Sequence, residues 1–507
     1  MRLHATMLGT IFALLLFLSF LPNPLSTSLS GTSHEFLTSS TFSKSATYIE
    51  DIPYVWQEIN GFCHWSSLSM ALQHIGLPLK LNDIFAATGI GLSAVYIQFK
   101  DIMMFIPGPN YRQIYQAQYL EAFQGIDYIV IVDNTTEAGQ NFAITMDFWN
   151  LDYQTIEGAI EAQETLCQSI DDGYPLLLWV DPYYLPVHDY DILRDLNLHS
   201  NDTGSGHAVL ATGYNDTTQE VWIMDPGVGA LGDNVAYPSN GRWLYNISYS
   251  DLALARENLS FVATQIKPGS QVPTPNNNDY STFIYQRLLG ISASYELVNV
   301  DPSIVFCGAK AFHQLGIALT PSNLAYFLFN LEQNDLIVNK LYELSISLEQ
   351  MITLQQLSFR SALARLPTYL REYDLSIMQS YGQAALPHFD ALSTNASLTT
   401  FDPTSYNSLI KDTFWGIAEL YRIDGDIYEA VTCYADNLFL IQTHLNGIAA
   451  AWEAAGHALQ SLVDASINQL ILSVFFSGCV IAIIVISSAI VLRNKHKEQI
   501  KNHPNQD

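Results

Sequence analysis

The segment Ile52–Leu72, I-P-Y-V-W-Q-E-I-N-G-F-C-H-W-S-S-L-S-M-A-L, starts extended, bends once and then turns helical. Pro53 and alternating apolar positions set the extended part, and Asn60-Gly61 makes the bend. Beyond it Trp65, Leu68, Ser69 and Leu72 return at helical spacing. Cys63 falls at or just inside the helix start. There, unpaired backbone N–H groups and the positive end of the helix dipole favour a thiolate over a thiol. Gln57 lies six residues upstream, with a side-chain amide able to fold back over the sulfur. A nucleophile at a helix start with an amide donor behind it is what acyl transfer requires.

Outward from this segment, a first folded domain runs over 49–267 and mixes helices with strands, an α+β pattern. Gly76-Leu77-Pro78 stops the first helix, and Asn82 or Asp83 caps a short second helix into Ala87. Gly89-Ile90-Gly91 is a tight turn lacking the strand–helix context of a nucleotide site. Tyr128–Val132 and Pro175–Val180 read as buried strands, with an amphipathic helix Thr155–Ile170 between them. Residues 181–206 form a polar loop with Asp189, Asp191, Asp195 and Asp202, and with His188 and His199. That length without periodicity suits a substrate-facing or lid loop. His207–Tyr214 and Glu220–Met224 make a hairpin over Asn215–Gln219. Tyr245–Tyr249 and Phe261–Ile266 complete the domain.

Residues 268–278, P-G-S-Q-V-P-T-P-N-N-N, are a linker. Apolar stripes at helical spacing follow over Tyr280–Val298, Pro302–Leu315, Ser322–Gln350, Leu354–Tyr373, Ser376–Leu392, Ser405–Tyr421 and Asp426–Val463. They predict an all-α domain over 279–466, with a packing or spacer role. Leu470–Leu492 is apolar and uncharged, and about 20 helical residues suffice to cross a bilayer. Arg493, Lys495, Lys497 and Lys501 follow it, which puts the 493–507 tail in the cytoplasm and the rest outside. Residues 1–25 read as a secretory signal peptide and 26–48 as a flexible lead-in. Six N-x-S/T sequons, at Asn134, Asn201, Asn215, Asn246, Asn258 and Asn395, fit a glycosylated exterior portion.

The chain has 507 residues, enough for two or three domains, and a formal net charge of −28. Such a surface repels nucleic acid. No cofactor motif and no zinc-ligand spacing is present in the sequence. Outside the cell, Cys307 can pair with Cys433. Cys63 can pair with Cys167, which would silence any chemistry at Cys63.

A cysteine hydrolase needs a thiolate, an imidazole to share its proton, a group to orient the imidazole, and oxyanion donors. Cys63 supplies the first, and its backbone N–H with Gln57 the last. His207 opens a strand behind Gly204-Ser205-Gly206. Asp225 ends the partner strand, near the His207 end if the hairpin is antiparallel. His188, His199 and His64 are rival imidazoles and Asp181 a rival carboxylate.

These residues carry a resemblance. Ile52–Leu72 resembles the active-site segment of the papain-like cysteine peptidase superfamily, in its double-glycine (bacteriocin-processing) peptidase branch. G-H-A-V-L-A-T-G-Y with V-W-I-M-D-P is similar to that branch's His and Asp strands. G-Y-P-L-L-L-W-V-D-P-Y-Y-L-P and L-A-L-A-R-E-N-L add a similarity to the butirosin biosynthesis protein H N-terminal domain family, over roughly residues 50–267. The resemblance implies a papain-like α+β fold, with Cys63 as nucleophile, His207 as base, Asp225 as orienter and Gln57 as oxyanion donor. It implies a peptide, amide or acyl-thioester substrate, with hydrolysis and acyl transfer both open. The butirosin family has His before the cysteine, where this chain has Phe62, and the Gln57 arrangement is more peptidase-like. A non-catalytic, ligand- or partner-binding ectodomain on the same fold is the alternative.

Overall fold

The computed structural model describes residues 46–57, 61–87, 94–99, 102–107, 120–149, 152–195, 197–200, 206–230, 236–269, 279–290, 305–331 and most of 336–349 and 403–464. The signal segment, most of the linker, the Leu354–Tyr373 and Ser376–Leu392 helices and the 470–492 span all lie outside the described residues. Among the described residues no helix is long and apolar enough to cross a membrane.

Eleven described strands run in chain order: β1 (Ala46–Tyr48), β2 (Ala94–Phe99), β3 (Ile102–Pro107), β4 (Ile126–Asp133), β5 (Tyr153–Ile156), β6 (Leu176–Val180), β7 (His207–Asn215), β8 (Glu220–Met224), β9 (Leu244–Ser248), β10 (Ala263–Pro268) and β11 (Val305–Cys307). The helices of the first half are α1 (Cys63–His74), α2 (Leu81–Ala87), α3 (Glu137–Trp149), α4 (Gly158–Asp171), α5 (Asp191–Asp195) and α6 (Tyr249–Glu257). Those of the second half include α7 (Asp279–Leu289), α8 (Ala309–Ala318), α9 (Pro321–Phe329), α10 (Pro403–Asp424) and α11 (Ile427–Cys433), and residues 435–461 are helical too. The architecture is thus an α+β domain followed by a mainly helical region.

The main sheet has the order β5-β4-β10-β6-β7-β8-β9. Among the described strands, only β4 and β5 pair in parallel. β6 is buried at every position and β7 from His207 to Tyr214, so both faces of these central strands are covered. This is why they read as continuous apolar runs rather than as alternating ones. α1 is buried from Cys63 to Leu72 and packs on β6 and β7. Two of its buried hydroxyls bond to carbonyls of neighbouring elements: Ser67 donates to the Ala208 carbonyl at 3.2 Å and Ser69 to the Leu79 carbonyl at 2.6 Å. Phe62 and Trp65 pack against Phe85 of α2, with centroids 5.1 and 5.9 Å away.

The structure corrects four expectations. The lead-in is not flexible to its end: Ala46–Tyr48 pair antiparallel with Asn215–Gly213 of β7. Gly213 makes room for them, since a Cβ there would lie 2.8 Å from the Thr47 carbonyl. Thr155 and Ile156 belong to β5, not to the helix, which starts at Gly158. The segment read as a helix over Pro302–Leu315 contains β11 before α8 begins. None of Cys63, Cys167, Cys307 and Cys433 is disulfide-bonded, so neither pairing forms.

The second half is also less separate than the linker implies. A smaller sheet has the order β11-β2-β3, so a strand from beyond the linker completes a sheet from before it. The Gly308 N–H adds a bond to the Ala94 carbonyl at 2.8 Å, and α8 packs on β2.

Candidate active site

The chain enters α1 through Gly61, at φ 99°, and the helix begins at Cys63 itself. The extended segment ahead of it is bound along the turn that follows β8. The Tyr54 hydroxyl donates to the Asp225 carbonyl at 3.1 Å, and Trp56 Nε1 to the Val228 carbonyl at 3.0 Å. The Gln57 N–H donates to the Pro226 carbonyl at 3.2 Å. Gln57 is buried and fixed beside residues 225–228 by its own backbone.

The hairpin sets the other half. β7 and β8 are antiparallel, with Leu210 opposite Met224. Carrying that register three residues further sets Gly227 opposite His207. His207 Nε2 lies 2.7 Å from Asp225 Oδ1, and the Cys63 side chain hydrogen-bonds to the same imidazole. With Nε2 turned to the carboxylate, Nδ1 is the nitrogen left for the sulfur. Gly227 is required where it stands: a Cβ would come within 2.7 Å of His207 Cε1 and 2.6 Å of the Tyr190 hydroxyl.

Asp225 is fully enclosed by donors. Its Oδ1 accepts from the Gly227 N–H at 2.7 Å, and its Oδ2 from the Tyr245 hydroxyl at 2.9 Å. The Tyr190 hydroxyl reaches both oxygens, at 3.3 and 3.1 Å. Burial by itself would raise this carboxyl. The His207 cation and the Gly227 and Tyr245 donors outweigh it and hold Asp225 below the usual carboxylate range. For His207, burial opposes the charge, but Asp225 and then Cys63 push it up to about 10. The site therefore favours an imidazolium beside the sulfur.

The rivals serve other purposes. Asp181 caps the turn Pro182–Tyr184 through the Tyr183 N–H at 3.0 Å, and also accepts from the Ser200 N–H at 3.1 Å and pairs with His199. His188 is exposed and pairs with Asp191. His64 is buried on α1 and stacks on Trp179, 5.4 Å away. The 181–200 part of the loop is no open lid. Arg194 donates to the carbonyls of Tyr183, Leu185 and Val187 and ties the loop to itself.

Tyr190, Tyr245 and Gly227 are site residues that the sequence reading missed. The Gly after Asp225-Pro226 was a visible signal for a tight approach. Tyr190 and Tyr245 had none, because each reaches the carboxylate from an element that carries no motif. Among the described residues no group of three or more His, Cys, Asp or Glu is placed to hold a metal ion.

An imidazole held between a helix-start cysteine and a buried carboxylate is the arrangement of a thiol hydrolase. Residues 49–246 match the Peptidase_C39 like family. No curated protein matches the chain. The Peptidase_C39-like match supports a papain-like, cysteine-peptidase type of fold for this domain. All four residues singled out in the sequence lie within the matched span.

Proposed function

We propose that the Peptidase_C39-like domain breaks or transfers acyl groups through Cys63. The observation that carries this reading is His207, bonded at once to Asp225 and to Cys63. The Cys63 thiolate attacks the carbonyl carbon of a peptide or amide. Negative charge develops on the carbonyl oxygen, where the Cys63 N–H and the Gln57 amide serve as donors. The imidazolium of His207 gives its proton to the leaving amine as the C–N bond breaks, and an acyl-cysteine remains. Water, deprotonated by His207, then releases the acid and restores the thiolate; an amine in place of water makes the reaction a transfer. An acyl thioester enters by the same path, with a thiol leaving. Asp225 keeps the imidazole oriented throughout.

The family match favours peptides as substrates. The test is intact-mass analysis after incubation with peptide and acyl-thioester libraries. An acyl adduct on Cys63, absent from Cys63→Ala, supports the reading. Hydrolysis without any adduct, undiminished in Cys63→Ala, sinks it. The binding-module alternative draws support from the deep burial of Cys63 and Gln57. A Cys63 that alkylates no faster than an ordinary buried thiol would favour that alternative. The apolar run 470–492 and its basic flank support tethering of this domain outside the membrane. Protection of a C-terminal epitope from external protease in intact cells would agree, and its digestion would refute the orientation.

A further inference from the structure

We propose that Tyr190 is a positioning residue of this site, its hydroxyl holding the His207 ring in the orientation that serves Cys63. The inference rests on the acyl-transfer reading and adds a residue to it. Tyr190 is fully buried, and its hydroxyl lies 3.1 Å from His207 Nε2. The same hydroxyl contacts both Asp225 oxygens. Burial, reinforced by Asp225, keeps the phenol protonated, so it donates to the carboxylate. Its oxygen is then left facing the ring N–H as an acceptor. The hydroxyl dipole thus points its positive end at Asp225 and its negative end at the imidazole. Such a dipole favours the imidazolium and resists rotation of the ring.

The loop that delivers Tyr190 is built to hold it there. The Tyr190 N–H donates to the Val187 carbonyl at 3.1 Å, within a short turn. The Val187 carbonyl also accepts from Arg194 at 2.7 Å. Next to Tyr190, Asp189 accepts from the Gly229 N–H at 2.6 Å, so the loop is bonded to the turn that carries Gly227. Gly227 lacks the Cβ that would strike the Tyr190 hydroxyl. Loop and turn therefore fix the phenol against the His–Asp bond from two directions.

The experiment is the rate of Cys63 alkylation by iodoacetamide, scanned from pH 4 to pH 9 on the full chain. Wild-type protein gives an acid limb, the pH at which the thiolate–imidazolium pair forms. Tyr190→Phe keeps the ring and leaves Asp225 with three donors. We expect its acid limb to move up by roughly half to one pH unit, as loss of one hydrogen bond implies. Alkylation near the limb then falls about three- to tenfold, while the rate at pH 9 is retained. A merely structural role would lower the rate equally at all pH values, or not at all, and an unmoved limb overturns the proposal. Should Tyr190→Phe fail to fold, 3-fluorotyrosine at position 190 keeps the packing and weakens the oxygen as an acceptor. The limb should again move up, and an unmoved limb again refutes the role. If wild-type Cys63 shows no fast alkylation at any pH, the acyl-transfer reading itself fails. A wild-type limb that Tyr190→Phe leaves in place removes Tyr190 alone.

Discussion

Cys63 and Cys167 are buried thiols of one domain, both on helices, and their surroundings set them apart. Cys63 opens α1 and bonds to an imidazole that Asp225 holds in its charged form. Cys167 lies inside α4, with the Gln163 amide 3.4 Å from its sulfur. The Asp216 and Asp171 carboxylates lie around it, and Tyr249 bonds both to it and to Asp216. Burial, and then these acids, push the Cys167 thiol up to about 12. Both thiols are buried, but the charges beside them differ in sign. A cation beside a sulfur favours its thiolate, and a carboxylate beside it favours the thiol.

The largest expected effect is on this contrast itself. At pH 7, Cys63 should alkylate with iodoacetamide at least about a hundredfold faster than Cys167, since the thiolate is the nucleophile. Quantitative mass spectrometry of the two peptides measures the ratio, and a ratio near one breaks the comparison. Next, Asp225→Asn should remove the charge that holds His207 protonated and lower the Cys63 rate at pH 7 by about a hundredfold or more. Cys167 alkylation should stay where it was.

A third test uses pH and stability. His207 is raised in the fold from its ordinary 6.5 to about 10. Its contribution to stability is therefore complete below pH 6.5 and is lost as pH rises through about 10. Asp225 is lowered, so its contribution holds above the ordinary carboxylate range and is lost as pH falls through its depressed value. Melting temperature scanned against pH should fall on the alkaline side in wild type. That decline should be missing from His207→Ala, and its persistence there would detach the imidazole from the linkage. The smallest effect is Cys167→Ala, which should cost about 1 kcal/mol of packing and leave Cys63 kinetics unchanged. Denaturant titration reads the first and alkylation the second.

The parts legible in the sequence were those where local pattern and tertiary role agree. α1 shows its helical spacing, β6 and β7 their apolar runs, and the His207–Asp225 pairing follows from an antiparallel hairpin. The rest depended on partners distant in the chain. β11 is three residues long between helix-like stretches, and only its pairing with β2 makes it a strand. β2 and β3 carry Met, Phe and Tyr in an order that shows no clean alternation, and no Gly or Pro separates them in the sequence. β1 lies at the end of a Ser/Thr-rich stretch, and its pairing with β7 alone reveals it. Tyr190 lacked any signal for the same reason: its function is a bond to residues 17 and 35 positions away.

β10 lies between β4 and β6 in the middle of the main sheet, yet it begins at Ala263, beyond the matched span 49–246. β1 and β11 also lie outside that span. The inherited signature is therefore shorter than the object that must fold. A fragment trimmed to the signature would lose a central strand and leave β4 and β6 with bare backbone edges toward each other. Such edges recruit other chains, and the fragment would precipitate. Any excision of this domain for study has to begin before Ala46, pass Pro268, and carry Val305–Cys307 along with the helices that hold it.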